Sequence, residues 1–157
     1  MKLDWLTPPG LRLKREALGV GLGLGAAALY SFRFLIEYHS ARRLLYGDRL
    51  GTLYLLPGAV LPPFPRLLAP ALGGFAAYGL CMGALAGFHY LYHRLGSRSD
   101  YLMRRLPNPR ERHLRCLALP ALGLLAGLVT LGLLSLLYYG VYLTRTPPGC
   151  LPSSLWA

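Results

Sequence analysis

The sequence predicts an all-α integral membrane protein: three transmembrane helices, with an amphipathic cytosolic elbow helix between the second and the third. Three observations carry this. The 157 residues are 54% hydrophobic and only 15% charged, whereas soluble domains usually carry about 25% charged residues. The apolar residues gather into three long blocks, the pattern of bilayer-spanning helices. Between the second and third blocks lies a basic stretch with two sets of helix-start signals. The length suits a single membrane domain, 1–157.

The first block, "ALGVGLGLGAAALYSF", runs from Ala17 to Phe32 and extends to Ile36, giving a span over 17–36. At 1.5 Å per residue, roughly 20 residues cross a hydrocarbon core of about 30 Å. The run is longer than the core of a usual signal peptide, and polar Arg33 and Glu37 follow without a clean exit. It is therefore expected to be a retained span and not a cleaved leader. Arg33 can snorkel outward, with Glu37 one helical turn beyond as its partner.

The connection that follows, roughly Glu37 to Arg66, holds Pro57, Pro62, Pro63 and Pro65 in "YLLPGAVLPPFPRLL". That proline density forbids a continuous helix. Its apolar content suits a cover lying at the membrane interface or the wall of an external vestibule. The second span covers 67–92 and the third 116–143, with a kink expected at Pro120.

The formal net charge is +11. Such an excess can signal nucleic acid, but here the basic residues flank membrane spans, where they set orientation. Lys2, Arg12, Lys14 and Arg15 precede the first span, and Arg94, Arg98, Arg104, Arg105, Arg110, Arg112 and Arg115 lie in the elbow, 93–115. The other side carries Arg33, Arg42, Arg43, Arg49, Arg66 and Arg145. Eleven against six places the N-terminus and the elbow in the cytosol and the C-terminus outside. A multi-pass protein of a bacterial inner membrane, in contact with lipid and not with nucleic acid, is expected.

Residues for chemistry are sparse. Cys81, Cys116 and Cys150 are far apart and form no CxxC, so neither a metal site nor a disulfide framework is expected. His89 and His93 have one-turn spacing, but no HExxH pattern follows, and Tyr90 and Tyr92 are interleaved. An interfacial aromatic belt is the expected reading. No nucleophile system and no phosphate-binding GxxxxGK[ST] loop is present. The expectation is a non-enzyme without catalytic residues, metal or cofactor.

Glycines are more informative. The second span carries Gly79, Gly83 and Gly87, a repeated GxxxG, and the third carries Gly123 and Gly127. Gly19 with Gly23, and Gly21 with Gly25, repeat the spacing in the first. Residues four apart share a helix face, and glycine there admits a second helix. These faces serve packing within the chain, or a homo- or hetero-oligomer.

The elbow, "SRSDYLMRRLPNPRERHLRC", opens with Ser97 three residues before Asp100, a capping-box spacing. Asp100 favours a helix start, and Arg104 and Arg105 favour its end. Leu102, Met103 and Leu106 share one arc of the wheel, with Asp100, Tyr101, Arg104 and Arg105 on the other, as suits a short helix lying on the membrane surface. Pro107 ends it. Asn108, Pro109 and Glu111 then form the start of a second helix that continues into the third span.

This order resembles the coupling-helix region of ABC exporter permeases, which carry a pattern like T-x-E-x-L-L-x-x-P-x-S-R-x-E between their second and third spans. The corresponding run here is "SDYLMRRLPNPRE", with Leu102 and Met103 at the apolar pair, Pro107 at the proline, and Arg110 and Glu111 near the Arg-x-Glu. The acid follows the arginine directly, which departs from the family pattern. The likeness covers about a dozen residues. A cytosolic N-terminus with three spans resembles the first half of such a permease; its remaining spans are not in this chain. The same stretch is similar to small bacterial membrane proteins that accompany ABC transporters. The resemblance implies a non-catalytic membrane subunit or accessory of an ABC-type export system, partnered by an ABC ATPase and permease subunits. It implies ATPase contact through Asp100, Tyr101, Arg104, Arg105, Arg110 and Glu111. The alternative is a small membrane adaptor or regulator whose basic elbow binds anionic lipid or another cytosolic protein.

Overall fold

A computed structural model describes residues 12–49, 52–95, 109–152 and 154, with the side chains of 48, 49, 52, 53, 93–95, 109–112 and 115 outside that description. Helix α1 covers Leu13–Ser31 and α2 covers Arg33–Arg43; strands β1, Tyr46–Arg49, and β2, Thr52–Leu55, follow. Helix α3 covers Phe64–Leu95 and α4 covers Pro109–Arg145. Three stretches, Leu13–Arg43, Phe64–Tyr92 and Cys116–Arg145, are long and apolar enough to cross a membrane. Leu18, Leu22, Leu80, Leu128, Leu133 and Leu136 are among the large apolar side chains left exposed along them, which suits contact with lipid tails. The chain is on these grounds a multi-pass membrane protein.

Each predicted span lies inside a longer helical stretch. The first is two helices, separated at Phe32. Ser31 explains the separation locally: its hydroxyl donates to the Ala28 carbonyl at 2.6 Å, and the Phe32 amide bonds Leu29 at 3.1 Å. Such i−3 bonding tightens the turn and competes with the α-helical ladder. The expected Arg33–Glu37 pair is present at 3.8 Å on an exposed face. Proline is accommodated inside helices, at Pro70 in α3 and Pro120 in α4.

The chain divides into two compact units, one drawn from Met1–Ala27 and Phe75–Val129, the other from Ala28–Gly74 and Thr130–Ala157. In the second unit the core is aromatic. Phe34 stacks on Tyr138 with ring centroids 4.7 Å apart and meets Phe64 edge-on at 5.7 Å. Phe64 in turn contacts Tyr139 and Tyr142, at 5.3 and 5.8 Å. Leu45, Leu61, Leu67, Ala71 and Cys150 complete the cluster.

The polar tips of Tyr38, Tyr138 and Tyr142 are satisfied, two of them in relay. The Ser31 proton is used on Ala28, so Tyr138 donates to Ser31 Oγ at 2.8 Å. Thr146 donates to the Tyr142 carbonyl, and Tyr38 donates to Thr146 Oγ1 at 3.3 Å. Tyr142 donates to the Pro62 carbonyl at 3.0 Å.

The proline-rich connection is a cover on this cluster. Its first part is an antiparallel hairpin in which Tyr46 pairs with Leu55 and Gly47 with Tyr54, and the Leu56 amide extends the pairing to Leu45 at 2.9 Å. The all-helical expectation did not include these strands. Pro57 and Gly58 then make a turn: the Ala59 amide bonds Leu56 at 3.2 Å, and Gly58 has φ +79°, the type II pattern that demands glycine at its third position. Pro148 and Gly149 repeat the device before Cys150, with φ +90° at Gly149. The Leu61 amide joins the two turns by bonding the Cys150 carbonyl at 2.9 Å.

Candidate functional site

The elbow expected to carry partner contacts has its core at 96–108, so Asp100, Tyr101, Arg104 and Arg105 lie outside the described residues. The amphipathic elbow helix is likewise outside them. What is described is its exit. Helix α4 begins at Pro109, places Arg110 and Glu111 in its first turn, and runs on without interruption into the third span. Proline suits this first helical position because its missing amide hydrogen would have had no partner.

The first unit shows what some of the glycines do. Gly123 and Gly127 on α4 and Gly23 on α1 surround one side chain, Tyr78 of α3. A Cβ at Gly127 would lie 2.9 Å from Tyr78 Cε1, and one at Gly23 would lie 3.3 Å from Cδ2. At Gly123 it would meet Met82 Sδ at 2.8 Å and Tyr78 Oη at 3.1 Å. The Tyr78 hydroxyl donates to the Gly123 carbonyl at 3.1 Å. The GxxxG of the third span thus receives a tyrosine ring, whereas the motif alone suggests close backbone approach. Tyr78 was not singled out in the sequence; its place four residues before Met82, opposite the α4 glycines, is visible only once the helices are packed.

The second-span glycines differ. Gly79 has Leu124 Cδ2 at 3.9 Å, and Gly83 and Gly87 have nothing within 4 Å. Among the described residues, nothing packs on the Gly83 and Gly87 face.

His89 departs from its expected place in an interfacial belt. It is fully buried, and its Nδ1 donates to the Cys116 carbonyl at 3.0 Å. The reason is local: the first turn of α1 and the Cys116 stretch of α4 close over this part of α3. The neighbouring Tyr90 does lie nearer the surface, with its hydroxyl 2.9 Å from His113 Nδ1. The side chain of His93 is outside the described residues.

Cys81 is exposed, Cys116 and Cys150 are buried, and all three are free thiols. Among the described residues, no group of three or more His, Cys, Asp or Glu could hold a metal ion. An open cleft of about 390 Å³ lies between α2 and α3 in the second unit, bordered by Glu37, Ser40, Leu44, Arg66, Leu67 and Pro70. Comparison with protein-family models, with curated proteins and with solved structures found no match to this chain.

Proposed function

We propose that this protein is a non-catalytic membrane subunit or accessory of an ABC-type export system, with the 97–116 elbow contacting a cytosolic ATPase. The observation that carries the reading is the elbow sequence "SDYLMRRLPNPRE", set between two spans and leaving through a helix that starts at Pro109 and continues to Arg145. A helix continuous with the span can carry a displacement of its first turn onward as a rigid element. ATP hydrolysis belongs to the partner. The open Gly83 and Gly87 face of α3 offers close approach to a permease helix.

The reading requires the elbow and the N-terminus in the cytosol and the C-terminus outside, as the basic-residue balance favours. Cys150 is buried, so topology is better tested with introduced thiols. An impermeant maleimide applied to intact cells is expected to label Ser154→Cys and to spare Ser99→Cys until the membrane is opened. Labelling of Ser99→Cys in intact cells reverses the orientation.

The partner contact is tested by co-purification in mild detergent followed by mass spectrometry. Tyr101→Ala keeps the charge, and Arg105→Lys keeps it while removing the planar guanidinium fork. As interface anchors, each is expected to cost about 2 kcal/mol, roughly thirty-fold in affinity for the ATPase. Membrane insertion stays unchanged. The seven arginines of 93–115 favour a second reading, a lipid-binding adaptor, in which affinity follows total charge at about 1 kcal/mol per basic residue. Silence of Tyr101→Ala and Arg105→Lys, with weaker binding of anionic lipid in Arg98→Ala, selects that reading.

A further inference from the structure

None of His89 is exposed. Its Nδ1 lies 3.0 Å from the Cys116 carbonyl, and because a carbonyl only accepts, Nδ1 carries a hydrogen. In the neutral ring, Nε2 is then a bare lone pair. Nε2 is buried without a hydrogen-bond partner among the described residues. The group it faces is Glu16 Oε2, 3.7 Å away and beyond hydrogen-bonding distance. A lone pair therefore points at a carboxylate, two acceptors with no hydrogen between them, in a place where unsatisfied polar atoms are costly.

We propose that Glu16 and His89 form a proton-binding site. One proton added to the pair creates an N–H on Nε2 that donates to Oε2, and the pair passes from a net charge of −1 to zero. No other bond forms or breaks. The Glu16 side chain is 20% exposed while that of His89 is 0% exposed, so the proton reaches and leaves the pair through the carboxylate. Closing the contact draws together the first turn of α1, which holds Glu16, and α3, while the Cys116 carbonyl fixes the ring from α4. Ionisable residues in membrane segments pair with one another and mark proton-responsive sites.

The other groups around the pair do not substitute for it. Arg12, just before α1, and Lys14 and Arg15 on it are exposed. On α4, His113 is engaged with Tyr90 of α3 at 2.9 Å, and Cys116 supplies the carbonyl already used. On α3, the Phe88 ring lies 6.3 Å from that of His89, and Tyr92 lies beyond it. The side chains of His93, Arg112 and Arg115 are outside the described residues. The Glu16–His89 pair needs no ATPase partner to bind its proton.

The test is hydrogen exchange of the α1 first turn in the full chain in lipid nanodiscs. Rates are compared at about pH 5 and about pH 8, after correction for intrinsic exchange. Wild-type protection is expected to be about tenfold greater at the lower pH, as for a hydrogen bond to a charged partner. In Glu16→Gln the amide donates to Nε2 without a proton, so protection is high and equal at both pH values. In Glu16→Ala it is low and equal. Ring-nitrogen NMR of the wild type gives a second readout: Nε2 shifts with pH while Nδ1 keeps its hydrogen. Equal wild-type protection at both pH values, an Nε2 signal that does not move, or a Glu16→Gln protein that keeps the wild-type pH response overturns the proposal.

Discussion

Leucine at Gly127 is expected to cost the first unit about 3 kcal/mol or more of folded stability, whereas leucine at Gly83 leaves it nearly unchanged. At Gly127 even a Cβ would stand 2.9 Å from Tyr78 Cε1 and 3.2 Å from Cδ1. The ring has nowhere to retreat, since Gly23 and Gly123 border its other sides and the hydroxyl is held by the Gly123 carbonyl. Inserting a few methylenes into a well-packed core costs about 1–3 kcal/mol and sometimes more. A whole leucine side chain against a pinned ring belongs at or above the top of that range, about 3 kcal/mol or more. Gly127→Ala is expected to fall near the bottom. A Cβ at Gly83 meets nothing, so Gly83→Leu is expected to change stability by less than about 0.5 kcal/mol. Thermal and denaturant unfolding in detergent measure all three. A Gly127→Leu protein as stable as wild type would show that Tyr78 is not held as described. Loss of partner recovery in Gly83→Leu, at wild-type stability, assigns that face to a neighbouring helix.

Phe34→Ala is the second large effect. Phe34 is wholly buried and stacks on Tyr138, with Phe64 edge-on and Tyr38 at 6.1 Å. Truncation leaves a ring-sized void beside Tyr138 and Tyr38, whose hydroxyls are held by Ser31 and Thr146, so collapse into it is limited. The expected loss is about 3–5 kcal/mol. Tyr138→Phe keeps the ring and removes only the bond to Ser31, about 0.5–1.5 kcal/mol. The second unit also carries the exposed Arg43 at the end of α2, and limited trypsin digestion reports its opening. Faster cleavage after Arg43 in Phe34→Ala, and wild-type rates in Tyr138→Phe, are the expected pattern. Equal rates in all three proteins would mean that the aromatic cluster does not hold this unit together.

The three spans were legible because their signal is local and large. About twenty apolar residues in a row have few alternatives to a membrane helix, and each of 17–36, 67–92 and 116–143 lies within a helical stretch of the structure. The start of α4 at Pro109 was legible for a similar reason, since proline at the first helical position costs no hydrogen bond. So was the Arg33–Glu37 pair, which follows from one-turn spacing. From sequence, the Glu37–Arg66 connection reads as a proline-rich break that serves as an interfacial cover or a vestibule wall. Its hairpin and first turn are local, but their docking depends on a partner distant in sequence, the Cys150 carbonyl that receives the Leu61 amide.

The candidate sites divide along the same line. Glycine spacing marked Gly123 and Gly127 as packing positions, but the spacing cannot say whether a backbone or a ring will fill the space. Only the packed helices bring Tyr78 between them. His89 read as one of several interfacial aromatic residues, because nothing within four residues of it supplies a carboxylate. Glu16 reaches it from another helix, and Cys116 offers its carbonyl from a third. Local composition determined that this chain enters a membrane and where its helices run, because burying apolar surface in lipid depends on each segment alone. Tertiary structure decided which buried polar atoms meet, because that depends on the register of one helix against another, and hydropathy carries no information about register.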